Sequence, residues 1–227
     1  MRAPFCDRFR DRADAGRQLA AALATLDLPA PRIVLALPRG GVPVGYAIAR
    51  ALNATLGVLL VRKLGAPWQP ELALGALADC GAGLPPHIEW NTELLDAIGP
   101  SQAYLDEVTA QELAELERRR TRYGVVPLPL AGATVIVTDD GIATGATMRA
   151  ALAAVRRAKP GRLVLAVPTA PETTWHTLRA EVDDGRCLIA PPDFSFQAVG
   201  QYYGNFDQTE DSEVIALLAD VAQRNPH

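Results

Sequence analysis

Ala133-Thr-Val-Ile-Val-Thr-Asp-Asp-Gly-Ile-Ala-Thr-Gly-Ala-Thr-Met148 is the stretch on which the reading of the chain turns. Its β-branched apolar run, Thr134 to Val137, predicts a strand buried on both faces. Two adjacent carboxylates follow, Asp139 and Asp140. A loop of small and hydroxyl-bearing residues comes next, Gly141 to Thr147, and then a helical run, Met148 to Arg157. A strand that feeds such a loop at a helix N-terminus makes an anion site. Backbone N–H groups converge there, the helix dipole favours negative charge, and no bulky side chain blocks a phosphate. Two carboxylates before the cup would repel a ligand that was phosphate alone. They suit one that continues into a sugar, whose neighbouring hydroxyls donate to both acids. The loop reads as a clamp for a ribose 5-phosphate.

Toward the N-terminus, Arg32 to Leu37 predicts a second buried strand, ending in Pro38-Arg39-Gly40-Gly41 and followed by a helical segment, Val44 to Leu52. Adjacent glycines let backbone approach a ligand, and Arg39 offers a permanently charged fork suited to phosphate oxygens. Ahead of it, Ala15, Leu19, Ala22 and Leu26 give helical periodicity over Ala13 to Leu26, behind a polar-aromatic lead-in, Phe5 to Arg12.

A third strand, Leu56 to Val61, is expected to end in Arg62-Lys63. A loop, Leu64 to Glu71, and a returning strand, Leu72 to Ala78, follow. Asn91 and Ser101 are placed to cap two helices, one to Ile98 and one to about Arg122, which form a helical insertion over about 91–123. The run Glu117-Arg-Arg-Arg-Thr-Arg122 is either a basic patch or a solvated helix end whose cations suit the dipole. Beyond the central motif, Arg162 to Val167 and Arg186 to Ala190 predict strands, with helices over Pro171 to Val182 and Glu210 to Gln223. Aromatics gather between them: Phe194, Phe196, Tyr202, Tyr203 and Phe206.

Strands alternating with helices predict an α/β fold, an open, mostly parallel sheet with helices on both faces. The three suspect loops all follow strand C-termini and can therefore converge on one crevice. No linker divides the 227 residues, so a single domain is expected. A hydrophobic fraction of 49% and a charged fraction of 21% are those of an ordinary globule. A net charge of −4 offers no basic surface for nucleic acid, and no apolar run approaches a membrane span. Cys6, Cys80 and Cys187 lack paired spacing, which predicts reduced thiols and a cytoplasmic protein, not a disulfide frame or zinc site. No Gly-x-Gly-x-x-Gly or Lys-Ser/Thr phosphate loop supports a Rossmann-type or P-loop nucleotide site.

Val135 to Thr147 resembles the phosphoribosyl pyrophosphate motif of the type I phosphoribosyltransferases: apolar strand, acid-acid, two loose positions, then small-Thr-Gly-small-Thr. The resemblance implies that Asp139 and Asp140 hold the ribose 2- and 3-hydroxyls. It implies that Ala143, Thr144, Gly145, Ala146 and Thr147 wrap the 5-phosphate. Arg39, Gly40 and Gly41 look like the family's pyrophosphate loop, in which a cis peptide often precedes the basic residue, here between Pro38 and Arg39. A mobile flap occupies the place of residues 64–71 in that family. Arg62 or Lys63 could then contact the departing pyrophosphate, and Glu71 could take a proton from the incoming base; both places also suit solvated loop charges. A small hood drawn from the termini, here 1–12 and 191–210, reads the base, with Phe5, Phe9 and the tail aromatics as ring-stacking candidates.

The implied reaction moves a 5-phosphoribosyl group from phosphoribosyl pyrophosphate to a nitrogenous base, releasing pyrophosphate, as in nucleotide salvage. Asp139, Asp140 and Arg39 would carry it. Magnesium would be held mainly by ligand oxygens and water, and a homodimer is the assembly expected. A non-catalytic sensor of phosphoribosyl pyrophosphate is the alternative. Asp-Asp-x-x-Ala-Thr-Gly-x-Thr-Met is similar to the adenine phosphoribosyltransferases, and Ala143 stands where the enzymes of 6-oxopurines carry an acid. The flap lacks the adenine enzymes' Tyr-centred pattern, and residues 91–123 are extra. Across most of its length the chain looks like a bacterial branch of the family, and the accepting base stays open.

Overall fold

The structure, a computed structural model, describes residues 8–224, apart from the side chains of 70 and 71. The expectations placed on Phe5 and on the Glu71 carboxylate lie outside what is described. In chain order the elements are α1 (Arg12–Leu23), β1 (Arg32–Ala36), α2 (Gly41–Leu52), β2 (Thr55–Val58), β3 (Leu60–Ala66), β4 (Gln69–Asp79) and β5 (His87–Trp90). They continue with α3 (Thr92–Ile98), α4 (Gln102–Arg122), β6 (Thr134–Thr138), α5 (Ala146–Arg157), β7 (Arg162–Thr169), α6 (Glu172–Arg179), β8 (Asp184–Ile189) and α7 (Asp211–Arg224).

Five strands pair in the order β2-β1-β6-β7-β8, all parallel. Their sequences explain it. Strands covered on both faces read as unbroken apolar runs, and β6 is buried at every position. Alternation then sends Val34, Ala36, Ile136 and Val164 to a core with α1, α2 and α7 residues, and Ile33, Leu35, Val135 and Leu163 to one with α5 residues. Register aligns the strand ends, with Ala36 opposite Thr138 and Thr138 opposite Ala166. The chain runs outward from β1 to β2 on one side and from β6 to β8 on the other. The boundary between β1 and β6 is therefore a topological switch point, where strand C-termini open a crevice.

The third strand differs from the expectation. Thr55–Val58 stays in the parallel sheet, Leu59 N donates to Ala36 O at 3.0 Å, and the chain then enters a second, antiparallel sheet in the order β3-β4-β5. Most of the expected loop is strand, and Pro67 and Trp68 make the turn between β3 and β4. Gly65 and Ala66 sit at register shifts in that hairpin. Arg62 and Lys63 consequently lie within β3, opposite Leu77 and Ala76, and not at a parallel-strand end.

The inserted helices form as expected. Asn91 Oδ1 accepts from Leu94 N at 3.1 Å and Ser101 Oγ from Tyr104 N at 3.2 Å, each capping its helix. Helix α4 lies on β3, where the Tyr104 hydroxyl donates to Gly65 O at 2.9 Å. Its basic end is committed to ion pairs, Arg119 with Glu115 at 2.8 Å and Arg122 with Asp211 at 2.7 Å.

Candidate active site

Asp139 and Asp140 leave the end of β6 beside the Pro38–Gly41 turn that leaves β1. The two loops are in direct contact. A side chain at Gly40 would overlap Asp140 Oδ2, and a Cβ at Gly41 would lie 2.9 Å from Asp139 Cα. Both glycines are there because the carboxylate loop occupies the volume that a side chain would take. The Pro38–Arg39 peptide is cis.

The acids are half-buried and bonded to their surroundings. Asp139 Oδ1 accepts the Asp140 amide at 2.8 Å, and Asp140 Oδ2 accepts from Arg12 Nε at 2.8 Å. The Tyr203 hydroxyl donates to Asp140 O at 2.5 Å. Burial, and then repulsion from Asp140, push the Asp139 carboxyl well above the ordinary carboxylate range. Burial also raises Asp140, against the opposing pull of Arg12. Burial likewise raises the Tyr203 phenol, so it stays a donor.

Beyond the acids the loop opens. Ala143, Thr144 and Ala146 are exposed and Thr147 is half-buried, whereas Ile142 and Met148 are buried and pin the two ends. Gly145 turns the chain with φ +80°, a left-handed conformation that an L side chain resists. The first bond of α5 runs from Arg149 N to Gly145 O at 2.9 Å, so the amides before Arg149 stand ahead of the helical ladder. Thr174 Oγ1 steadies the loop from α6, donating to Ala143 O at 3.3 Å. The sequence-nominated cup, Ala143 to Thr147, is thus an accessible helix N-terminus that adjoins the acid pair.

The basic candidates separate. Arg39 lies at the crevice, with the carboxamide of Gln208 against its guanidinium and Glu210 at 3.9 Å. Arg62 is paired with Glu112 of α4 at 2.5 Å, and Lys63 is exposed on the same strand. The aromatics also depart from the expectation of open stacking faces. Phe9, Tyr202 and Tyr203 are buried, and Phe9 and Phe206 pack against Tyr203 at 5.4 and 4.9 Å between ring centres. They build a roof in which Phe9 N donates to Tyr202 O at 2.8 Å and Gly204 N to Phe9 O at 2.7 Å. Phe194, by contrast, is exposed.

Nothing local in the sequence singles out Arg12. The Phe9-Arg-Asp-Arg12 lead-in was visible, but its tie to Asp140 spans 128 positions and carries no local spacing signal. Among the described residues no cluster of three or more His, Cys, Asp or Glu could by itself hold a metal. Both carboxylates are already bonded to protein groups, so a magnesium ion here would take its oxygens mainly from ligand and water. Among the described residues, no helix is long and apolar enough to cross a membrane.

No family model matches the chain. Two curated Mycobacterium tuberculosis proteins, from strains CDC 1551 and H37Rv, each carry the description "Putative phosphoribosyl transferase". Each is 45% identical over 212 residues, 92% of this chain. The chain spans about half the length of these relatives, 46% of each. A Thermus thermophilus protein of solved crystal structure is 42% identical, with a TM-score of 0.78 over 94% of this chain and 98% of that one. The acid pair and small-residue loop at the β1/β6 switch point thus stand in a chain similar, over 92% of its length, to proteins described as putative phosphoribosyl transferases.

Proposed function

We propose that the protein transfers a 5-phosphoribosyl group from phosphoribosyl pyrophosphate to a nitrogenous base and releases pyrophosphate. The observation that carries this reading is the adjacency of two carboxylates to an exposed helix N-terminus at the switch point. Diol acceptors and anion donors lie one loop apart there. Asp139 and Asp140 accept the sugar hydroxyls, Ala143 to Thr147 take the 5-phosphate, and Arg39 with Gly40 and Gly41 faces the pyrophosphate. Magnesium, when bound, neutralises pyrophosphate charge.

In the reaction the C1–O bond breaks with its electron pair leaving on pyrophosphate. The nitrogen lone pair forms the new bond at C1, and the nitrogen's proton passes to a base or to water. The chain's own residues act by positioning and by stabilising developing charge. A cytoplasmic salvage enzyme working as a homodimer, apart from nucleic acid and membranes, is the setting this reading supposes.

The test is incubation with phosphoribosyl pyrophosphate, magnesium and a panel of purine and pyrimidine bases, with pyrophosphate release as readout. At least one base should give release that depends on both base and protein. Thermal stabilisation by phosphoribosyl pyrophosphate without release for any base would favour the non-catalytic sensor instead. The absence of both would overturn the two readings together.

A further inference from the structure

Asp140 is contacted from three other segments and by its own neighbour. Arg12 Nε donates to its Oδ2 at 2.8 Å, the Tyr203 hydroxyl to its carbonyl at 2.5 Å, and its amide to Asp139 Oδ1 at 2.8 Å, while Gly40 lies against its carboxylate. Arg12 is itself fixed on two further sides. Its Nη1 donates to Asp207 O at 2.6 Å, and its guanidinium carbon lies 4.0 Å from the centre of the Phe206 ring. The two side chains are 12% and 15% exposed. A planar fork engaged through Nε, through Nη1 and through one face has a single orientation, and it imposes that orientation on the carboxylate it touches.

We propose that Arg12 is a positioning residue of the acid pair, fixing the direction and the negative charge of the Asp140 carboxylate so that it can accept a sugar hydroxyl. The inference rests on the sugar-phosphate reading of the crevice and adds to it a residue outside the motif. Two neighbouring, half-buried acids cannot both ionise cheaply, and an acid that keeps its proton loses acceptor capacity. Among the described residues, the titratable or charged groups that meet Asp140 are its neighbour Asp139 just beyond β6, Arg12 from α1 and Tyr203 from the tail. Asp207 offers Arg12 only its carbonyl. Arg39, one residue from Gly40, is turned toward Gln208 and Glu210. Among the described residues Arg12 is thus the cation bonded to Asp140. A lysine there would keep the charge but lose the plane that lies on Phe206 and the paired Nε and Nη1 bonds, which separates charge from orientation.

The test is a pH titration of carboxyl-13C aspartate signals in the full chain, for the wild type, Arg12→Gln and Arg12→Lys. Binding of ribose 5-phosphate and of inorganic phosphate is measured in parallel. In Arg12→Gln the Asp140 midpoint should move upward and ribose 5-phosphate binding weaken about ten-fold, the loss of one charge-assisted contact. Inorganic phosphate, which needs only the loop, should bind as before. Arg12→Lys should leave the midpoint nearer the wild type yet still weaken the sugar phosphate. It also serves should the glutamine variant fail to fold. An Asp140 midpoint unmoved in Arg12→Gln, or a lysine variant that binds the sugar phosphate as the wild type does, overturns the inference. Failure of the wild type to bind ribose 5-phosphate sinks the sugar-phosphate reading instead, and the titration still decides the role of Arg12.

Discussion

On one side of the crevice Asp140 and Arg39 already face protein, Asp140 bonded to Arg12 and Arg39 set against Gln208 and Glu210. On the other side Ala143, Thr144 and Ala146 face solvent, and the amides of the first α5 turn precede its ladder. The contrast follows from what each half must do. Backbone amides at a helix N-terminus are fixed by the helix itself, so that half can stand open and still be organised. Carboxylates and a guanidinium hang on rotatable side chains, and repulsion between the acids would scatter them. They need protein partners to hold their places before any ligand arrives.

The largest expected effect breaks the open half. Gly145→Val would place a β-branched residue at φ +80°, with its Cβ 2.9 Å from Thr174 Cγ2. Stability should fall by about 1–3 kcal/mol. Calorimetry should then show sugar-phosphate binding lost; wild-type affinity in this variant would mean that the loop does not need its present shape.

The second prediction concerns the crowded half. Asp139→Asn should abolish binding of the sugar phosphate yet raise the thermal midpoint at neutral pH. The sign follows from the raised carboxyl. Between the ordinary carboxylate range and its elevated folded value, the folded state holds a proton that the unfolded state has released. Stability therefore falls as pH climbs through that window, and the asparagine variant avoids the loss. Melting curves of the two proteins should meet at low pH and separate toward neutrality. Parallel curves would remove the claim that this acid is kept at a cost to stability.

The smallest effect sharpens the contrast. The Glu210 side chain is 70% exposed and 3.9 Å from Arg39, so Glu210→Gln should change stability by less than about 0.5 kcal/mol. If the tail competes with the ligand for Arg39, pyrophosphate should bind about two-fold tighter or less, a change within reach of titration calorimetry.

Much of this crevice could be read in advance because its chemistry is local. The run from Thr134 to Val137 is apolar without interruption, and only a strand covered on both faces asks for that. Acid-acid followed by small residues and a helix is also a contiguous signal. The break at Leu59 is not. Leu56 to Val61 is nearly all apolar, and only the bond from Leu59 N to Ala36 O, then the pairing of Leu60 with Asp79, mark the change of sheet. The tail aromatics misled in another way. The family resemblance points to ring-binding faces, whereas Phe9, Tyr202 and Tyr203 are buried in one cluster. Composition reports the material of a roof and not which side of it is open.

The roof has a further consequence for how the protein is made. Phe9 meets Tyr202 and Tyr203, and Arg12 reaches Asp207, a separation of 195 positions. During synthesis β1, β6 and α5 have all emerged before Asp207 leaves the ribosome, so the sheet can close first. A contact of such long sequence separation pays its loop-closure entropy late, and α1 has to wait for the tail to bring its last partners. The loop at the start of α5 can therefore take shape while the cover over the acids is still incomplete.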